Sequence, residues 1–251
     1  MPDNHDADER RNSLWDRIRA LAERDGTVVA LRHVCLVART ALDAEGVAVY
    51  QTAGDGTSEP VAVTGPLADR LSEAQITFGE GPALEAMADE RPVLAADLDA
   101  RQWRAWWPVY APFASAEGIR AVTALPVVMG AVVVGGLEAD HARPAAPDRG
   151  RLADGLLLAD AAMLVMLRGA PGHDPFGDGL EVRWAAVHQA TGVVSVQLGC
   201  DLATAFVRLR AHAYRTGRRL VDVAADVVAH RVAFAPESGR EPDAQSESEQ
   251  G

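Results

Sequence analysis

A chain of 251 residues, 48% hydrophobic and 24% charged, has the composition of a folded protein and the length of two modest domains. No apolar run approaches the ~20 residues a membrane span needs, because the longest, Ala121–Leu137, contains Pro126 and three glycines. The formal net charge of -12 argues against indiscriminate nucleic-acid binding by the whole molecule, and all 24 basic residues are arginine. The polar opening MPDNHDADERRNSLW holds no signal-peptide core, so the chain is expected in the cytoplasm, away from membranes.

Met1–Asn12 reads as a disordered lead-in, after which Ser13 caps a helix carrying Leu14, Ile18 and Leu21. A second helix is expected over Val28–Leu42, with Leu31, Val34, Cys35, Ala38 and Leu42 on one face. Gly46–Thr52 and Glu59–Thr64 are strands joined by the turn Gly54-Asp55-Gly56-Thr57. Leu67–Glu73 is a short helix; Phe78-Gly79-Glu80-Gly81-Pro82 then leads into another through Asp89. Pro92–Leu98 is strand-like, and residues 101–118 gather Trp103, Trp106, Trp107, Tyr110 and Phe113. Ala121–Val128 and Ala131–Glu138 form a second hairpin, closed by a long helix, Arg151–Leu167.

Four glycines and two prolines make residues 169–179 a linker. Beyond it three helices follow: Leu180–Leu198, one capped by Asp201, and one from Arg218 with Leu220, Val223, Ala224, Val227 and Val228 on a single stripe. Pro236 onward is a polar tail, read as disordered. Between Arg183 and Phe234 seven arginines face three aspartates, a balance of +4 that leaves the remainder at -16.

Catalytic and metal signatures are absent from the sequence. It has no CxxC, HExxH, P-loop, GxGxxG or GxSxG, so neither a cofactor, a metal nor an enzymatic activity is expected. Cys35 and Cys200 read as small buried hydrophobes.

The stretch Val187-His188-Gln189-Ala190-Thr191-Gly192-Val193-Val194, followed by Ala205-Phe206-Val207-Arg208-Leu209-Arg210, Ala213, Leu220, Val223 and Ala224, resembles an ANTAR domain. Residues 27–168, through Phe78–Pro82, Pro92–Leu98, the closing hairpin and Leu156–Ala162, are similar to a GAF domain. The resemblance implies an α+β GAF-like sensor domain, an antiparallel sheet flanked by helices, followed by an all-α three-helix ANTAR bundle. The expected partition is an extension over 1–26, the sensor over 27–168, the linker, the bundle over 180–235 and the tail over 236–251. It further implies a transcription antitermination regulator that binds paired hairpins in nascent RNA as a homodimer; Val28–Leu42 and Arg151–Leu167, more apolar than one sheet face can bury, are the expected contact. A small ligand or partner protein of unknown identity would act at the sensor.

On that reading the RNA-facing residues are Thr191, Arg208, Arg210, Arg215, Arg218 and Arg219; the bland alternative for each arginine is a solvated helix face. Thr191 stands where the family carries a basic residue, and Ser195 where it carries Met. A second reading is therefore a ligand-sensing or protein-interaction regulator whose output domain no longer binds RNA. Glu80, Trp103, Trp107 and Tyr110 either line a sensor pocket or cover one face of the sheet. Phe206 is read as core in preference to a stacking platform.

Overall fold

The computed structural model describes residues 3–53, 57–168 and 180–235. The predicted turn at Gly54, the linker 169–179 and the tail 236–251 lie outside the described residues. Helix α1 runs Asp3–Arg24 and so takes in most of the lead-in expected to be disordered. Leu14, Ile18 and Ala22 are buried at four-residue spacing, which docks its second half. Arg10 reaches Asp154 at 2.9 Å across 144 residues of sequence and fixes the first half, a long-range ion pair that no local pattern foretells.

The sensor domain is built on five antiparallel strands in the order β2-β1-β5-β4-β3, comprising β1 Gly46–Thr52, β2 Ser58–Val63, β3 Val93–Ala95, β4 Ala121–Met129 and β5 Val132–His141. Because side chains alternate along a strand, register decides what each face presents. Val49, Leu137 and Leu125 lie side by side on one face. Helices α2 (Leu31–Ala41) and α7 (Arg149–Arg168) cover that face with Val34, Cys35, Ala38, Leu158 and Ala162. Burial pushes the Cys35 thiol up to about 12 and leaves it a packing residue.

The opposite face is covered by α3 (Pro66–Phe78), α4 (Pro82–Ala88), α5 (Arg101–Trp106) and α6 (Tyr110–Ala116). Helix α3 runs a turn and a half past the predicted end. Ile76 is buried, and Gly79 closes the helix in the left-handed region at φ 75°, with its N–H bonded to Gln75 O.

The second domain is three helices: α8 Leu180–Leu198, α9 Leu202–Thr216 and α10 Leu220–Val228. The Asp201 carboxylate accepts the Thr204 N–H at 2.7 Å and starts α9, as its sequence position predicts. Trp184, Val187, Leu209, Leu220, Val223 and Val227 are buried between the three helices. This core does not stop at the domain edge: it is continuous with Tyr50, Val63, Ala68, Ile76 and Met87 of the sensor. The bundle therefore rests on α3 and the edge strand β2. Among the described residues, no single helix is long and apolar enough to cross a membrane.

Candidate functional site

Helix α3 places Asp69 and Glu73 one turn apart on the side that meets the bundle. Asp69 bridges two helices of the other domain, accepting from Arg183 of α8 at 2.9 Å and from Arg219 at 2.8 Å. Glu73 receives both the Nε of Arg219, at 2.7 Å, and its terminal NH2. The other Glu73 oxygen accepts the backbone N–H of Val221 at 3.1 Å. That amide belongs to the first turn of α10, whose donors have no partner within the helix, and Arg219 at the cap position supplies none. Glu73 thus caps α10 from another domain.

Burial raises the proton affinity of Glu73, although Arg219 and the Val221 amide pull it down. Burial likewise works against the Arg219 charge, but Glu73 and Asp69 outweigh it and hold that guanidinium above its ordinary value. The difference follows exposure, since Glu73 is nearly sealed from water whereas the Arg219 side chain is 37% accessible.

The remaining predicted cations divide. Arg210 is half-buried: its Nε donates to Thr77 O at 3.3 Å, and its guanidinium lies 5.6 Å from the Phe206 ring centroid. Thr77 lies in the last turn of α3, where carbonyls lack intrahelical partners and a cation is favoured. A Cβ on Gly79 would collide with this guanidinium, so the residue that ends α3 also makes room for Arg210. Phe78 packs edge-on against Tyr214 at 5.7 Å and reinforces the contact. Arg208, Arg215 and Arg218 are exposed on the bundle. Arg218 pairs with Asp226 at 2.6 Å, and Arg215 lies 3.4 Å from His212. Thr191 differs from all of them, being buried in the bundle with its hydroxyl donating to Val187 O at 2.8 Å. It offers no surface contact in this arrangement, because its four-residue spacing from Val187 carries it onto the core stripe.

The four residues read as a sensor pocket fall into two contacting pairs, Glu80 with Tyr110 and Trp103 with Trp107. Glu80 accepts the N–H groups of Val109 and Tyr110 at 2.6 and 2.9 Å and caps the start of α6. Trp107 donates to Glu85 at 2.9 Å and stacks on Trp103 with ring centroids 4.9 Å apart. Tyr110 alone points into a buried polar cluster. A cleft of about 1000 Å³ lies elsewhere, between α2, β2 and α8, bordered by Val28, Arg32, Pro60, Val165, Trp184 and His188, and contains none of the four.

The polar cluster beneath α3 went unread in the sequence. Gln75 donates to Tyr50 OH at 2.9 Å and to both Glu138 oxygens at 2.8 Å, and Tyr110 OH is 3.5 Å away. Ala83 N–H donates to the side-chain oxygen Oε1 of Gln75 at 2.9 Å. Asp140, two residues along β5 on the same face, is fully buried and neither of its oxygens has a protein partner. Burial lifts both carboxyls well above the usual carboxylate range, and for Asp140 the neighbouring Glu138 adds to it. The available signal was Leu137-Glu138-Ala139-Asp140, two acids alternating with apolar residues in a strand.

Two family models match the chain: a GAF domain over residues 27–168 and an ANTAR domain over residues 183–228. The chain belongs to the GAF family and carries an ANTAR domain after it. This GAF-ANTAR architecture, a sensor followed by an output domain, is that of a regulator. Solved structures similar to it include the GAF domain of a phosphoenolpyruvate-protein phosphotransferase from Acinetobacter, with 14% identity over 62% of this chain and 94% of that chain, at a TM-score of 0.47. The corresponding domain from Coxiella burnetii shows 16% identity over 63% and 95%, at a TM-score of 0.47. Free methionine-R-sulfoxide reductase from Neisseria meningitidis shows 18% identity over 65% and 89%, at 0.44. The assignment rests on the family models and the sheet order, not on these likenesses. No curated relative matches the sequence.

Proposed function

We propose that the chain is an RNA-binding transcription antitermination regulator of the cytoplasm, in which the GAF domain governs access of the ANTAR bundle to hairpins in nascent RNA. The observation that carries this reading is the arginine-bearing surface of α9 and α10 within the matched ANTAR segment. Arg208, Arg210, Arg215, Arg218 and Arg219 lie there within an otherwise acidic molecule. Guanidinium groups suit phosphate contacts, which supply most of the affinity, and a compact bundle can address the unstacked bases of a loop. Leu36 of α2 and Leu156, Leu164 and Leu167 of α7 are exposed apolar residues that support a homodimer through these two helices.

The buried Thr191, standing where the family carries a basic residue, favours a second reading in which the output domain serves a protein partner. One titration separates the two. The full chain is measured against an RNA carrying two adjacent hairpins at low and physiological salt, beside an Arg210→Ala/Arg218→Ala/Arg219→Ala variant. Saturable binding that weakens with salt and is lost in the variant supports RNA recognition. Absence of binding at low salt, in the wild-type chain and in chains with the domain contact loosened, sinks it.

A further inference from the structure

The start of α10 has the make-up of an anion site. A first-turn amide with no partner in its own helix, the positive end of that helix and an arginine converge on one point, and a second arginine, Arg183, stands beside it. In this structure an anion already sits there, the carboxylate of Glu73, with that of Asp69 alongside. We propose that Asp69 and Glu73 of α3 act as an internal phosphate mimic, occupying the site on the ANTAR bundle that RNA phosphates would take, so that closed sensor and RNA exclude one another. The proposal rests on the RNA-binding reading and adds the means of control.

Three features of α3 fit this role. Its carboxylates are spaced by four residues, so both present on one side of the helix, and between them they engage Arg183 and Arg219. Its C-terminal carbonyl end takes Arg210, so three arginines of the bundle are held by one helix. Its opposite face inserts Gln75 between Tyr50 and Glu138 in the buried polar cluster. The same rigid element therefore touches both the interior of the sensor and the arginines of the output domain, and a shift of Gln75 is transmitted to Asp69 and Glu73. Repulsion adds to occlusion: the molecule outside residues 183–234 carries -16, and in the closed arrangement that charge lies beside the arginine surface.

The experiment is an Asp69→Asn/Glu73→Gln double variant of the full chain, which keeps side-chain size while removing both charges. Affinity for the two-hairpin RNA is measured by fluorescence titration, and amide hydrogen exchange is followed over Arg218–Ala224 without RNA. If the closed form leaves about a tenth of the molecules competent, the variant binds roughly tenfold more tightly than wild type. The Arg218–Ala224 amides then exchange faster in the variant, and saturating RNA speeds the amides of α3, Leu67–Phe78, in the wild-type chain, which needs no substitution. Faster exchange with unchanged affinity overturns the mimicry, and unchanged exchange overturns the contact itself. If neither chain binds RNA at low salt, the RNA reading fails and takes the proposal with it, while the exchange result still reports whether α3 holds the bundle.

Discussion

The two faces of the sensor sheet are built from the same five strands and are treated differently by the sequence. Against α2 and α7 the sheet shows Val47, Val49, Leu125, Val127, Leu137 and Ala139, and the buried carboxylates among the described residues all lie elsewhere. Against α3, α4 and α6 it buries Tyr50, Glu138 and Asp140 and closes them over with Gln75 and Tyr110. A buried carboxyl costs free energy that an apolar residue would not. The first face is a scaffold, and the second sacrifices stability to keep polar groups under the helix that holds the output domain.

The contrast predicts a ranked set of losses. Leu158→Ala, on the scaffold face, removes a fully buried side chain and costs about 2–5 kcal/mol in urea unfolding. A loss below 1 kcal/mol would deny that face its scaffold role. The polar face responds to pH. Its two carboxyls bind protons more tightly folded than unfolded, so their contribution is complete below about pH 4 and is lost as pH rises through about 7 and beyond. Thermal stability therefore falls from pH 5 to pH 9, and Asp140→Asn flattens that fall. Equal pH profiles for the two chains would show that Asp140 is solvated.

Smaller effects sharpen the same contrast. Gln75→Leu leaves Glu138 and Tyr50 without their amide donor and costs about 1–2 kcal/mol, and it also speeds exchange at the start of α10 if α3 couples the cluster to the bundle. Asp201→Ala removes the α9 cap, costs about 1 kcal/mol, and leaves the pH profile of the sensor unchanged.

Much of the architecture was legible because periodicity reports burial on one side. The strand at Gly46–Thr52, the helix at Leu180–Leu198 and the Asp201 cap fall where the pattern puts them. The extension of α1 was not legible, since Arg10 and Asp154 meet only in the folded chain. Nor was the role of α3: Asp69 and Glu73 look like an ordinary solvated side until a second domain lies on them. The arginines could be named from the resemblance, but their partners could not, because Arg219 and Glu73 are 146 residues apart. The aromatic segment divides. Trp103 and Trp107 pack on one another, whereas Tyr110 joins Tyr50, Gln75 and Glu138 in a polar interior whose members share no motif.

The exclusive use of arginine has a consequence for how the contact between the domains is undone. A guanidinium stays charged at any pH a cell reaches, and with no lysine anywhere in the 251 residues, acetylation has no side-chain amine to neutralise. Enzymes and reagents that work on amines pass this surface by. Release has to come from the acidic partners, from movement of the helix that carries them, or from a competing polyanion strong enough to displace them.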